Sequence, residues 1–222
     1  MRIVVSGGTG FIASALVPRL AARGDEVLIL SRSGKLPERF AQSPGLSALS
    51  WDPPAPGPWQ KSIDGVDAVV HLAGEQAVGQ RYSEAVKKRI VASRVGSAER
   101  LVEAIAMAER KPRAFISASG VGYYGGRLDD LPLDESAPAG SDFLADVCRQ
   151  WEAAARTAEP HGVRVAIART GVVFGRHGGA LETMIKPFRL FVGGPIASGQ
   201  QYFSWIHLQD MVRVYLRLLD DD

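Results

Sequence analysis

Three observations predict an α/β protein built on a doubly wound parallel sheet. The chain opens with an apolar β-branched run, Ile3, Val4 and Val5, which passes through Gly7, Gly8 and Gly10 directly into a helical pattern. Strand, glycine turn and helix in that order form the first half of a dinucleotide-binding βαβ unit. Short apolar runs then alternate with longer amphipathic stretches along the whole sequence, as a parallel sheet with crossover helices requires. Small or polar residues follow several of the strands, where a parallel sheet binds its ligands. Together these features define a doubly wound α/β fold that opens with a dinucleotide-binding unit.

The first helix is signalled by Ile12, Leu16 and Leu20 on one face, with Ala15 beside them and Gly24 at the C-cap position. Glycines let the preceding turn bend sharply and approach a pyrophosphate closely. Ala13 stands where a third glycine is usual, a replacement that position accepts because it serves helix-to-strand packing. The same string also fits a tight strand-to-helix turn in an unrelated α/β protein.

A second strand, Val27 to Leu30, ends at Ser31-Arg32. An acid at this place would select NAD through the ribose 2′-hydroxyl, whereas a guanidinium can pair with a 2′-phosphate, so Arg32 points to NADP. The alternative is a solvated arginine at a strand end. Leu46 to Trp51 is a third short strand, running into the proline-rich connection Asp52 to Pro58, which is neither helix nor central strand. Trp51 and Asp52 lie either near the adenine or in ordinary rim packing.

Ala68 to Leu72 is the fourth strand, and the small residues Ala73-Gly74 after it allow close approach of a cofactor. His71 within this strand is expected to be a satisfied core histidine. A helical pattern covers Ser83 to Ala108 and is stopped by Lys111-Pro112. The strand Ala114 to Ser117 opens the stretch Ser117 to Gly125, SASGVGYYG, which sets hydroxyls and phenols past a strand end on the same sheet edge as the glycine turn. Such groups can hold a substrate carbonyl or hydroxyl and exchange a proton with it, or serve as an ordinary polar turn.

Asp142 is placed to cap a helix whose stripe Phe143, Val147, Trp151 faces the core. Arg164 to Ala168 is the sixth strand, ending in Arg169-Thr170-Gly171. Trp205, Ile206 and His207 end a further strand, after which Asp210 is expected to cap the helix Met211 to Leu219. His207 is expected to be packed rather than catalytic.

Composition narrows the function classes. At 222 residues the chain can bury one substantial core, and 46% apolar with 23% charged residues is the balance of a soluble globular protein. The formal charge of +2 comes without a basic block, which argues against nucleic acid or an anionic membrane as main partner and leaves a small anionic ligand open. Cys148 is alone, so no intrachain disulfide can form, and His71, His161, His177 and His207 lack metal-ligand spacing. A first strand beginning near residue 3 leaves no room for a signal peptide and no apolar stretch is long enough to span a bilayer, so a cytosolic protein is expected.

Six stretches in order, GGTGFIA (Gly7 to Ala13), HLAGE (His71 to Glu75), SASGVGYYG (Ser117 to Gly125), WEAAA (Trp151 to Ala155), RTGVVFG (Arg169 to Gly175) and FSWIHLQDM (Phe203 to Met211), resemble the extended short-chain dehydrogenase/reductase superfamily. Within it the chain is most similar to the NAD(P)-binding epimerase-like proteins often described as sugar nucleotide epimerases. The resemblance implies a Rossmann-type doubly wound parallel sheet, NADP and a substrate cleft above the sheet. It also exposes a departure. Most of the superfamily carries a proton-transferring tyrosine, and four residues later a lysine that grips the nicotinamide ribose, on the helix before the glutamate matching Glu152. Here that stripe reads Leu144, Cys148, Glu152.

The cofactor-binding residues expected from the sequence are Gly7, Thr9, Gly10, Phe11, Ile12, Ser31, Arg32, Trp51, Asp52, Leu72, Ala73, Gly74, Ser117 and Arg169. Replacement catalytic groups are Tyr123 or Tyr124 as the acid and Ser119 polarising a carbonyl, with Arg169 or Lys186 neutralising a substrate anion. Cys148 is a further candidate, although a single thiol on an apolar helix face more often packs as a small hydrophobe. Residues 1–175 are expected to form the NADP-binding domain and 176–222 part of a substrate-site region, the family's C-terminal region being absent. The expected function is an NADP-dependent oxidoreductase or epimerase acting on a sugar-like or small carbonyl substrate. The alternative is a catalytically silent NADP(H)-binding sensor or scaffold.

Overall fold

A computed structural model describes residues 1–221 except 54, 78–80, 128, 177, 196 and 197, so Pro54 and His177 lie outside the described residues. Six parallel strands form the main sheet: β1 (Arg2–Ser6), β2 (Glu26–Ser31), β3 (Leu46–Ser50), β4 (Ala68–His71), β5 (Ala114–Gly120) and β6 (Arg164–Thr170). Their order is β3-β2-β1-β4-β5-β6, which reverses direction between β1 and β4. That reversal opens the crevice in which doubly wound sheets bind ligands, outside the carboxyl ends of the strands.

Alternation along the central strands shows why they read as unbroken apolar runs. Ile3 and Val5, Ala68 and Val70, and Ala114 and Ile116 enter one core with helix α1 (Phe11–Ala22). Val4, Val69 and Phe115 enter a second core on the opposite face. Both faces are dry, so apolar residues are favoured at every position. The edge strand β6 is only partly buried and carries polar residues at its ends.

The helical stretch predicted over Ser83 to Ala108 is interrupted. Helix α2 (Glu84–Val91) passes through a π turn, Ala92–Gly96, into α3 (Ser97–Met107). Ser97 Oγ donates to the carbonyls of Ser93 (2.8 Å) and Arg94 (2.9 Å), which helps hold the widened turn. Helix α4 (Phe143–Arg156) begins as expected, with Asp142 accepting from the Ala145 amide at 2.9 Å.

Beyond the sheet, β7 (Val172–Phe174) pairs with β8 (Trp205–His207), and the short helices α5 (Gly179–Met184) and α6 (Lys186–Arg189) lie between them in sequence. The last helix, α7 (Leu208–Asp220), starts three residues before the expected point. Its cap is His207, whose Nδ1 accepts from the Gln209 amide, while Asp210 pairs with Arg213 within the first turn. The cause is packing: Leu208, Met211, Val212, Tyr215 and Leu219 share one buried stripe, and that stripe begins at Leu208. His207 itself is exposed rather than packed.

Candidate functional site

The glycine turn sits beside the crevice. Gly7 has φ +69°, and a Cβ there would stand 2.7 Å from the backbone of Leu72 and Ala73, so only glycine lets β1 turn this close to the end of β4. Gly10 caps α1 without a side-chain hydrogen bond, and no acid occupies the first turn. The amides of Phe11, Ile12 and Ala13 therefore open the helix with no carboxylate to satisfy them, as an anion site needs. Ala13 is buried in the core, in keeping with the packing role expected of it. The Phe11 ring lies under the glycine segment after β7, where a Cβ on Gly178 would meet it at 3.0 Å.

Arg32 is exposed just after β2 and forms no ion pair among the described residues. A second arginine was missed by the sequence reading: Arg39 reaches back from a one-turn helix and donates to the Thr9 carbonyl at 3.1 Å. Nothing in its local sequence marks it, because the contact joins residues thirty positions apart. Ser31 is largely buried near Ser33, and Asp52 is exposed. The Trp51 indole is 2% exposed and packs edge-on against Trp59 and His71, so the core reading applies to its ring. Ser117 is also fully buried, its hydroxyl donating to the Ala118 carbonyl.

His71 is a core histidine as expected. Its Nδ1 lies 2.7 Å from Ser6 Oγ and its Nε2 3.1 Å from Ser97 Oγ, among the rings of Trp51, Phe115 and Trp151. Burial pushes its pKa down to about 4, which keeps the ring neutral.

The polar stretch after β5 meets β6 and α4 in one network. Arg169 donates from Nε and Nη2 to the two carboxylate oxygens of Glu152, each at 2.8 Å. Ser119 donates to the same carboxylate at 2.7 Å. The Arg169 guanidinium stacks 3.5 Å from the Tyr123 ring centre and donates to Tyr124 Oη at 3.1 Å. Glu152 is almost fully buried, and its hydrogen bonds hold the Arg169 pKa above the ordinary arginine value. Tyr124 Oη donates to the Asp134 carbonyl and lines a cleft of about 590 Å³ with Gly125, Gly126 and Gly140.

The structure thus brings Ser119, Tyr123, Tyr124 and Arg169 together and adds Glu152 at their centre. Sequence alone gave no sign of the Glu152–Arg169 pair. Cys148 lies on the same face of α4, and burial pushes its thiol up, away from the nucleophilic thiolate. Lys186 is on α6, outside this network. Among the described residues no group of three or more His, Cys, Asp or Glu side chains could hold a metal, and no helix is long and apolar enough to cross a membrane.

A doubly wound sheet with a helix lacking a side-chain cap at its switch point, flanked by guanidiniums that have no carboxylate partner among the described residues, defines a nucleotide-binding α/β protein. The chain belongs to the NAD dependent epimerase/dehydratase family, which it matches over residues 3–222. This agrees with the epimerase-like resemblance of its six motifs.

The epimerase family protein SDR39U1 homolog, chloroplastic, of Arabidopsis thaliana is 41% identical over 99% of this chain. The chain spans 62% of that relative's length. The crystal structure of human epimerase family protein SDR39U1 (isoform 2) with NADPH is 39% identical over 99% of this chain and 70% of that one, with a TM-score of 0.84. A nucleoside-diphosphate sugar epimerase from Corynebacterium glutamicum is 37% identical over the whole chain and 44% of its own, with a TM-score of 0.83.

Proposed function

We propose that the protein binds NADP(H) and acts as an oxidoreductase or epimerase on a sugar-like or small carbonyl substrate. The observation that carries this reading is the glycine turn, open at the β1–β4 crevice and followed by Arg32 at the end of β2. The human relative crystallised with NADPH supports the same ligand.

In this reading the amides at the start of α1 bind the pyrophosphate, and Arg32, joined by Arg39, takes the 2′-phosphate. The bound dinucleotide supplies hydride at its nicotinamide ring. Tyr124 delivers the proton to the substrate oxygen, and Arg169 stabilises the charge left on Oη. The Tyr124 hydroxyl donates to the Asp134 carbonyl at 3.0 Å, so proton delivery requires that bond to be exchanged for one to the substrate. Ser119 and Glu152 act as positioning residues, because they hold the Arg169 fork in place. Residues 1–175 carry the cofactor site, residues 176–222 contribute to the substrate side, and the protein works in the cytosol.

Three measurements test this reading. NADPH is expected to bind at least tenfold tighter than NADH, about 1.4 kcal/mol, and Arg32→Glu to remove the preference. Equal affinities overturn the 2′-phosphate assignment. Deuterium from NADPH labelled at C4 is expected to enter a carbonyl compound of a cell extract. Tyr124→Phe is expected to slow that transfer about 100-fold or more with NADPH affinity unchanged, and wild-type transfer removes Tyr124 from the reaction.

Leu144 and Cys148, in place of the usual tyrosine and lysine, favour a second reading, an NADP(H)-responsive sensor or scaffold. Tight NADPH binding with no deuterium transfer, and a partner protein whose affinity changes with NADPH, would select it.

A further inference from the structure

The π turn between α2 and α3 aims one side chain at the sheet edge. Arg94 reaches back to the loop after β4, where its Nη2 donates to the Glu75 carbonyl at 2.7 Å. The guanidinium stands over Gly74, close enough that a Cβ on that glycine would meet its Cζ at 3.2 Å. Its other face lies 5.5 Å from the centre of the Trp151 ring on α4. The Glu75 carboxylate, which could have neutralised it, is paired with Arg89 instead at 3.1 Å. Arg94 has no carboxylate partner within ion-pair distance among the described residues, although it is half-buried. Burial lowers its pKa, yet a guanidinium remains charged in a protein.

With Nη2 on the Glu75 carbonyl and Nη1 3.4 Å from Ser93 Oγ, this partly desolvated guanidinium still has donors to spare, and these call for an acceptor. Its place says which one. The crevice lies between β1 and β4, and β2 with Arg32 lies on the β1 side. A dinucleotide crossing that crevice has its adenosine half over β1 and β2 and its second half over β4 and β5. Arg94 stands at the end of β4, against the face of α4 that carries Cys148 where the superfamily's lysine is expected.

We propose that Arg94 holds the nicotinamide-side half of the bound NADP(H), donating to its ribose hydroxyls and supplying from the π turn the cation that α4 lacks. The inference rests on the cofactor reading above. It makes Arg94 a binding residue contributed by a different element from the one that carries the lysine elsewhere in the superfamily.

The test compares two probes on the same protein. NADPH has both halves, whereas 2′,5′-ADP has only the adenosine half. Arg94→Met is expected to weaken NADPH at least tenfold while leaving 2′,5′-ADP within twofold of wild type, and Arg94→Lys to recover part of the loss. Retained 2′,5′-ADP binding shows that the variant is folded with an intact glycine turn. Unchanged NADPH affinity in Arg94→Met overturns the proposal, as does an equal loss for both probes, which would mean that Arg94 only supports the loop after β4. If wild-type protein binds neither probe, the cofactor reading falls and this inference with it.

Discussion

Acid should destabilise this protein through His71. The ring is held neutral inside the core, with a pKa of about 4 against 6.5 for a free histidine. Between those values the unfolded chain binds a proton that the native ring refuses, so stability is full above pH 6.5 and declines as the pH falls toward 4. Each pH unit in that window is worth about 1.4 kcal/mol, so lowering the pH from 7.5 to 4.5 removes roughly 2.5 kcal/mol. Urea denaturation across that range, for wild type and His71→Gln, measures the effect. The glutamine variant is less stable at pH 7.5, since it packs less well among Trp51, Phe115 and Trp151. Its stability should nevertheless fall less steeply with acid, because carboxylate contributions are common to both proteins. Parallel profiles would show that His71 carries no such linkage.

Two more perturbations probe the site's supports. Glu152→Ala leaves the Arg169 guanidinium without its partner in a largely buried place, and should cost about 3–5 kcal/mol by chemical denaturation. A Glu152→Leu/Arg169→Met double variant should lose less than Glu152→Leu alone, and a larger loss in the double would contradict the pairing argument. Gly7→Ala forces φ +69° on a residue with a Cβ and drives that Cβ into the backbone at Leu72 and Ala73. It should destabilise the protein by about 2 kcal/mol or more and abolish NADPH binding in a fluorescence titration. Retained binding would move the cofactor away from this turn.

What could be read in advance follows how local the determining physics is. Strands β1, β2 and β4 show as apolar runs because both of their faces are buried, and the turn at Gly7 shows because its φ and its close approach to Ala73 admit only glycine. The Asp142 cap is a contact three residues long. The π turn is hidden inside one continuous helical pattern, since an extra residue in a turn leaves apolar spacing nearly unchanged over a few residues. Arg39 and Arg94 cannot be told from other cations among 26 lysines and arginines. Their meaning comes from the Thr9 and Glu75 carbonyls, thirty and nineteen positions away in sequence. Trp51 shows the converse limit: a ring at a strand end can face a ligand or the core, and Trp59 together with His71 decides for the core.

Charge at the sheet edge differs from charge over the molecule. The formal total is only +2. Around the crevice, however, three acids are already engaged: Glu75 with Arg89, Glu152 with Arg169, and Asp142 with the start of α4. Among the described residues Arg32, Arg39 and Arg94 have no carboxylate partner, and the first turn of α1 adds its own partial positive charge. A nearly neutral protein can therefore still attract a polyanionic ligand to this edge through these three guanidiniums. Exposed charges such as Arg32 and Arg39 are screened by salt, the Debye length falling from about 10 Å at 0.1 M to about 3 Å at 1 M. NADPH affinity should accordingly decline as sodium chloride rises through that range, and Arg32→Gln should flatten the dependence more than Arg94→Met, whose guanidinium is partly shielded from solvent. Titrations at four salt concentrations decide it, and a salt-independent affinity would mean that fixed amides and packing bind the ligand without help from these charges.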